Sequence, residues 1–384
     1  MTSELSSFAA RLRDLISAGF QAGHFDSLAL ELFTLQYQHN AAYRKICDAR
    51  GLTPAVVKDW PHITAVPTVA FKEMEMTSLA PSERNTVFHS SGTTAQTPSR
   101  HFHCAESLAV YEMSLWKWFE QSLFANPKPG IRNPELIIMT PTPEKAPNSS
   151  LVHMFETVRQ KLGGSSCSAD RIEFQGALAA DGSWTLNFNT TIAALRGNAK
   201  GKTQNAKLIL GTAFSFVHLL DYLAKHHLRL RLPVGSRVME TGGYKNRSRT
   251  MPKTELHSLI TERLGVPLEN IICEYGMSEL SSQAYSATSG KWQVTLSDAH
   301  YCHPSLATRH FQFPPWARVQ IISPETGREV GECETGLIRI FDLANVFSVA
   351  AIQTEDLAIR RGDAFELIGR AELAESRGCS LLTA

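Results

Sequence analysis

Between residues 136 and 273 short apolar runs alternate with stretches of helical period, and this alternation restricts the fold more than any other feature of the chain. Leu136–Met139, Leu208–Leu210, Arg237–Met239 and Ile271–Cys273 have the length and apolar character of buried strands. Ser150–Leu162, Phe214–His226 and Pro252–Leu264 lie between them, with apolar residues three and four apart as on one face of a helix. Strands separated by helices pair in parallel, so this region predicts α/β structure with parallel sheet covered by helices.

The flanks read differently. Leu5–Gly19 and Phe25–Cys47 predict two amphipathic helices around Gly23, and Pro61–Ser82 is broken by prolines into loops and brief strands. After about residue 300, Val319–Ile322, Gly336–Phe341, Val346–Ile352 and Phe365–Ile368 predict strands. Turn signals at Pro324–Gly327 and Arg361–Asp363 make that part a small antiparallel β lobe. The 384 residues exceed the size at which one core stops growing, about 250–300 residues, so several lobes are expected. The reading divides the chain into a helix-covered core over 1–300, a β lobe over 301–370 and a short tail over 371–384.

Charge and cysteine usage narrow the function. Thirty-eight basic residues balance 37 acidic ones, which argues against broad electrostatic binding of nucleic acid. Seven cysteines without a CxxC pair read as reduced thiols, and no apolar run approaches the roughly 20 residues of a membrane span. The first residues lack a basic leader and apolar block, so a cytoplasmic protein is expected.

Three segments carry chemistry. Ser90-Ser91-Gly92-Thr93-Thr94 offers hydroxyls and turned backbone amides to phosphate oxygens, or is a polar turn between strands. No Gly-Lys-Ser/Thr closes it, which excludes a P-loop. Glu274-Tyr275-Gly276-Met277-Ser278-Glu279 follows a strand, where open α/β sheets bind ligands. Glu279 there suits Mg2+, which takes one or two protein carboxylates beside substrate phosphates, or it is a helix-start glutamate facing the macrodipole. Thr354-Glu355-Asp356, with Gly369-Arg370 one strand later, offers Asp356 to ribose hydroxyls and Arg370 to the sugar or a phosphate, or is a surface turn with an ion pair.

In this order the three segments resemble the adenylate-forming superfamily of acyl-CoA synthetases, luciferases and peptide-synthetase adenylation domains. Ser90–Thr94 is similar to its phosphate loop, Tyr275–Glu279 to its Tyr-Gly-x-Thr/Ser-Glu motif, and Asp356 with Arg370 to its ribose and hinge motifs. Gly242-Gly243-Tyr244 is similar to the segment lining the adenine pocket. Within the superfamily, Glu240–Arg247, Phe341–Ala344 and Arg377–Leu381 resemble the acyl-protein synthetase branch, typified by the ligase subunit of the bacterial-luminescence fatty-acid reductase.

The resemblance implies an α/β adenylating architecture of two helix-covered sheet subdomains and a small β lobe, with ATP and Mg2+ as cofactors. A fatty or aryl carboxylic acid would attack the α-phosphate, release pyrophosphate and pass as an acyl group to a protein thiol. Thr93 and Thr94 would orient phosphates, Glu279 would hold the metal, and Tyr275 with Gly276 would meet the adenine. His153 and Phe214 would line the acid pocket, although each is equally a packing residue. Cys379 occupies the place of the acyl-holding cysteine, and the acceptor could instead belong to a reductase or carrier protein.

This sequence departs from the pattern in two places. The phosphate loop ends Pro98-Ser99 instead of Pro-Lys, leaving Arg100 as a stand-in. Only 14 residues follow Arg370, which implies that the lid domain and its catalytic lysine are missing and makes Lys245, Arg247 and Arg249 the nearest candidates to replace that lysine, or a solvated basic loop. A CoA ligase, another ATP-using enzyme that shares only the loop, and a nucleotide-binding scaffold remain as competing readings.

Overall fold

The computed structural model describes residues 3–90, 97–124, 134–163, 172–180, 182–197, 205–243, 248–288 and 309–370. They form an α/β fold of two compact units. One is drawn from residues up to Ser114 and from Ser278 onward, the other from Leu115–Met277. The structure divides the chain at Ser278 because Ser278–Ser282 hydrogen-bonds to His101, Ser114, Asp342 and Asn345.

The chain opens with helices α1 (Ser3–Ala18), α2 (Phe25–His39) and α3 (Ala41–Arg50). One expected helix over Phe25–Cys47 is thus two. Asn40 is extended at φ −109° and ψ 99°, and its side chain accepts the Tyr43 amide as the N-cap of α3. Strand β1 (Val66–Pro67) and helix α4 (Ala70–Glu73) lead to a hairpin of β2 (Thr86–His89) and β3 (Arg100–His103), then to α5 (Ala105–Phe124).

The second unit follows the predicted alternation. Its elements are β4 (Glu135–Ile138), α6 (Ser150–Gly163), β5 (Ile172–Phe174), a small hairpin of β6 (Gly176–Leu178) and β7 (Trp184–Leu186), α7 (Phe188–Arg196), β8 (Lys207–Thr212), α8 (Ala213–Lys225), β9 (Arg237–Thr241), α9 (Lys253–Leu264) and β10 (Ile271–Tyr275). Strands β10-β9-β8-β4-β5 pair in that order, all parallel. Every residue of β8, β9 and β10 is buried, as expected of strands covered on both faces. Ile137, Ile209, Val238 and Ile271 share one core with Phe216 and Leu220 of α8 and with Leu256 and Ile260 of α9.

In the first unit β11 (Ala284–Thr288), β12 (Arg309–Gln312), β13 (Ala317–Ile322), β14 (Thr335–Asp342), β15 (Ala351–Arg361) and β16 (Ala364–Arg370) pair antiparallel in the order β13-β14-β15-β16-β12-β11. β1 adds in parallel to β15. The expected strand over Val346–Ile352 is corrected, since β15 begins only at Ala351. Residues 343–350 form a buried loop whose backbone bonds to side chains. Gln36 donates to the carbonyls of Asn345 and Val346 and accepts the Ala350 amide, while Asn40 and Thr77 donate to the carbonyls of Ser348 and Phe347. Once these groups are satisfied from α2 and its neighbours, the loop needs no ladder partner. Among the described residues no helix is long and apolar enough to cross a membrane.

Candidate active site

In the first unit the β2–β3 hairpin carries the segment expected to hold phosphate. Ser90 and Ser99 close its base, the Ser90 amide donating to the Ser99 carbonyl at 3.3 Å and the Ser99 amide to Ser90 Oγ at 2.9 Å. Ser91, Gly92, Thr93 and Thr94 lie outside the described residues. The hairpin is seated by Phe88, fully buried, with its ring 4.6 Å from that of His103 and 5.6 Å from Tyr111.

Ser99 also reaches the second motif. Its hydroxyl donates to Glu279 Oε1, and Ser278 Oγ donates to Glu279 Oε2 at 3.0 Å. Glu279 is buried, only 5% exposed, and no helix begins at it, so the macrodipole alternative does not apply. No ion pair reaches it among the described residues. An ionised carboxylate in that setting gains from a cation, because burial costs a charge its hydration. The carboxylate and the two hydroxyls are hard oxygen donors, the set that suits Mg2+ completed by waters and substrate phosphates.

Several buried bonds set this segment in place. The Asn345 side-chain amide donates to the Glu279 carbonyl at 3.0 Å. Asp342 accepts the amides of Ser281 and Ala344 and the Ser282 hydroxyl, yet burial still pushes its carboxyl up to about 6. Ser282 meets Ser114 at 2.9 Å, and Ser114 accepts the indole N–H of Trp316. His101 Nδ1 faces the Ser278 carbonyl at 2.9 Å; a carbonyl only accepts, so Nδ1 carries the proton. Burial lowers the imidazole to about 4 against the opposing pull of that carbonyl, so the ring is neutral at pH 7.

The third motif lies in regular strand, which removes the turn alternative. Asp356 on β15 is the register partner of Arg370 on β16, and its amide donates to Thr354 Oγ1. Arg370 bonds Glu355 at 2.8 Å and is largely exposed. Arg100, the stand-in for a loop lysine, sits in β3 beside Glu75 at 3.8 Å with its guanidinium over the Phe102 ring.

In the second unit the motif residues stand at the C-terminal ends of β9 and β10, as parallel-strand topology demands. Thr241 and Glu274 are register partners, and the Thr241 hydroxyl donates to Glu274. Burial, aided by the charge of Glu240, pushes the Glu274 carboxyl up to about 7 despite that bond. Gly242 turns the chain out of β9 at φ +67°, a backbone region glycine occupies without a Cβ penalty. Gly242, Gly243 and Gly276 are exposed, while Tyr275 is buried at the end of β10. Lys253, the first residue of α9, donates to the Gly242 carbonyl at 2.9 Å and to Glu240 Oε2 at 2.5 Å.

The remaining candidates separate. His153 is half-buried on α6, and its carbonyl accepts the Thr157 hydroxyl. Phe214 is buried at the start of α8, 6.0 Å from the His218 ring and 6.4 Å from Trp184. Arg249 forms surface ion pairs with Asp221 at 3.1 Å and Glu255 at 3.7 Å. Tyr244, Lys245, Arg247 and Cys379 lie outside the described residues. His101, Asn345 and Lys253 carry no motif in the sequence, and Ser99 stands there only as the departure from Pro-Lys. Lys253 carried a faint signal as a cation just inside the helix after the Gly-Gly segment. The others touch the motifs across more than 60 positions of sequence.

Comparison with known proteins follows the same lines. The family model described as "Acyl-protein synthetase, LuxE" matches residues 15–384. A relative, the long-chain-fatty-acid–luciferin-component ligase of Vibrio harveyi, is 20% identical over 368 residues, covering 91% of this chain and 84% of its own. Among solved structures, 2-hydroxyisobutyryl-CoA ligase in the postadenylation state with 2-HIB-AMP superposes with a TM-score of 0.61 at 14% identity, covering 91% of this chain and 69% of that one. An open conformation of that ligase, with 2-HIB-AMP and CoA, gives 0.58 at 14% identity, covering 88% and 74%. At such identities the likeness to the solved structures is one of fold.

Proposed function

This chain belongs to the acyl-protein synthetase family of ligases, and from that premise we propose that it activates a carboxylic acid with ATP and hands the acyl group to a protein thiol. The acid's carboxylate oxygen attacks the α-phosphorus, the bond from that phosphorus to the bridging oxygen breaks, and pyrophosphate leaves. The thiol sulfur then bonds the acyl carbon, AMP leaves with the former carboxylate oxygen, and the thiol proton passes to solvent. A fatty acid is the substrate class favoured, by similarity to the Vibrio harveyi ligase. The acceptor is Cys379 or a thiol on a partner reductase or carrier, and the cytoplasm supplies both ATP and reduced thiols.

One observation carries the reading: the residue that closes the phosphate-loop hairpin, Ser99, is bonded directly to Glu279 of the second motif, 180 positions away. The fold thereby joins two segments that the sequence only resembles separately. Ser99 and Ser278 hold the carboxylate in one orientation, and Asn345 and His101 fix the backbone on either side of it. Mg2+ bound at Glu279 would supply charge neutralisation at the phosphates. Asp356, on the same unit, is assigned the ribose hydroxyls, and the resemblance gives Gly242, Gly243 and Tyr275 to the adenine. Positioning and fixed dipoles, rather than covalent chemistry, are then what the protein contributes to the first step.

The test is carboxylate-dependent ATP–pyrophosphate exchange across fatty, aryl and amino acids, with wild type and Glu279→Ala. Exchange with one acid class, abolished by the substitution while circular dichroism is unchanged, supports adenylation and identifies the class. Absence of exchange with every acid, in folded protein supplied with Mg2+ and candidate partner proteins, overturns it.

A further inference from the structure

Behind the nucleotide motifs of the second unit lies a group of side chains that the adenylation reading does not use. Glu240 on β9 and Cys273 on β10 are register partners in a parallel pair, so their side chains leave the same face of the sheet. His257 comes down onto that face from α9. All three are buried, at 0%, 3% and 3% exposure. Their donor atoms converge: Cys273 Sγ lies 3.0 Å and His257 Nε2 3.2 Å from Glu240 Oε1, and Sγ lies 3.6 Å from Nε2.

We propose that Glu240, His257 and Cys273 form a structural site for a borderline-soft divalent cation of the Zn2+ class. The donor set is one thiolate, one imidazole and one carboxylate, the ligands Zn2+ selects over the all-oxygen sets of Mg2+ and Ca2+. Bonds of about 2.0–2.3 Å in a tetrahedron place ligand atoms roughly 3.2–3.7 Å apart, close to the spacing already present. The ligands come from three successive elements of the βαβ unit, so the ion ties α9 to both strands. On binding, the Cys273 thiol loses its proton to solvent and His257 coordinates through Nε2 with its proton on Nδ1. Lys253 on Glu240 Oε2 then acts as the outer partner that orients the carboxylate.

The place of the site indicates its use. Each strand continues from its ligand directly into a nucleotide motif, Glu240 into Thr241-Gly242-Gly243 and Cys273 into Glu274-Tyr275-Gly276. Thr241 and Glu274 point to the opposite face of the sheet, as strand alternation requires, so the ion stands behind these segments and takes no part in the chemistry. That use rests on the adenylation reading; the site itself does not.

The experiment is metal analysis of the full-length protein, independent of ligase activity. Wild type is dialysed against metal-free buffer, then given Zn2+ or Co2+, and compared with Cys273→Ser and His257→Gln. Wild type is expected to retain about one Zn2+ per chain, as three fixed ligands imply, and to melt at higher temperature with Zn2+ than with chelator. Co2+ should give a thiolate charge-transfer band in the near ultraviolet that Cys273→Ser lacks. Should either variant fail to fold, the wild-type arms decide alone. Wild type that retains no Zn2+, shows no thiolate–Co2+ band and melts alike with and without chelator overturns the proposal, leaving the cluster a buried hydrogen-bonded network. A Co2+ band that survives Cys273→Ser places the metal elsewhere and overturns it equally.

Discussion

In the first unit the buried carboxylate of Glu279 meets, among the described residues, hydroxyl donors from Ser99 and Ser278, whereas in the second unit the buried carboxylate of Glu240 meets the ammonium of Lys253. Burial alone would push Glu240 up, but Lys253 and the bond to His257 hold it well down, at about 2. Glu274, one residue past Cys273 along β10 and on the other face, is pushed up to about 7 by burial and by the charge of Glu240, despite its hydroxyl partner. A buried carboxylate compensated inside the protein serves the fold. On the proposed function, Glu279, held by hydroxyls with no cation among the described residues, would be kept available for a charge that arrives with the substrate.

The comparison breaks most visibly at Glu279. Replacing it with Gln keeps the shape and removes the charge, so exchange should fall on the order of 10²–10³-fold while the melting temperature changes little. A variant that loses stability but retains exchange would invert the roles assigned to the two carboxylates. Lys253→Met, in chelator-containing buffer, strands a fully buried Glu240 charge and should cost about 3–5 kcal/mol in urea unfolding. Unfolding at the wild-type midpoint would show that Lys253 does not compensate that charge.

Two pH profiles sharpen the contrast. For Glu274 the folded value is raised from 4.5 to about 7, so the unfolded chain sheds its proton first and stability falls as pH rises through that window. Glu274→Gln should remove that fall and be more stable than wild type above pH 7 by about 1–3 kcal/mol. For His101 the folded value is lowered from 6.5 to about 4, so stability is present above 6.5 and is lost as pH falls toward 4. His101→Gln should abolish that slope, which is at most about 1.4 kcal/mol per pH unit, in denaturation midpoints taken across the window. The smallest effect is expected at Arg370. Its exposed pair with Glu355 is worth less than about 1 kcal/mol, so Arg370→Ala should leave melting unchanged. A rise in the KM for ATP in that variant would show contact with nucleotide, and an unchanged KM would remove Arg370 from the site.

How much of this was legible in the sequence differs between the units. In the second unit β4, β8, β9 and β10 each contain a short apolar run between stretches of helical period, a local signal that needs no distant partner. In the first unit β11 and β12 escaped notice. Tyr285, Ser286, His310 and Gln312 give those strands mixed polarity, and their pairing spans more than 20 residues of chain. Val346–Ala350 differs in the opposite sense, being largely apolar because it is buried as a loop.

The chain's own text determined the parallel α/β order, the three motifs and the family they resemble, because small residues beside a ligand and apolar runs in a sheet are local necessities. Tertiary structure alone decided that Ser99 meets Glu279, that Lys253 and His257 meet Glu240 and Cys273, and that Asn345 braces the motif. Those partners are individually ordinary serine, lysine, histidine and asparagine. Their roles come from burial, which makes most polar atoms find a partner, and burial is a property of the packed chain rather than of any segment.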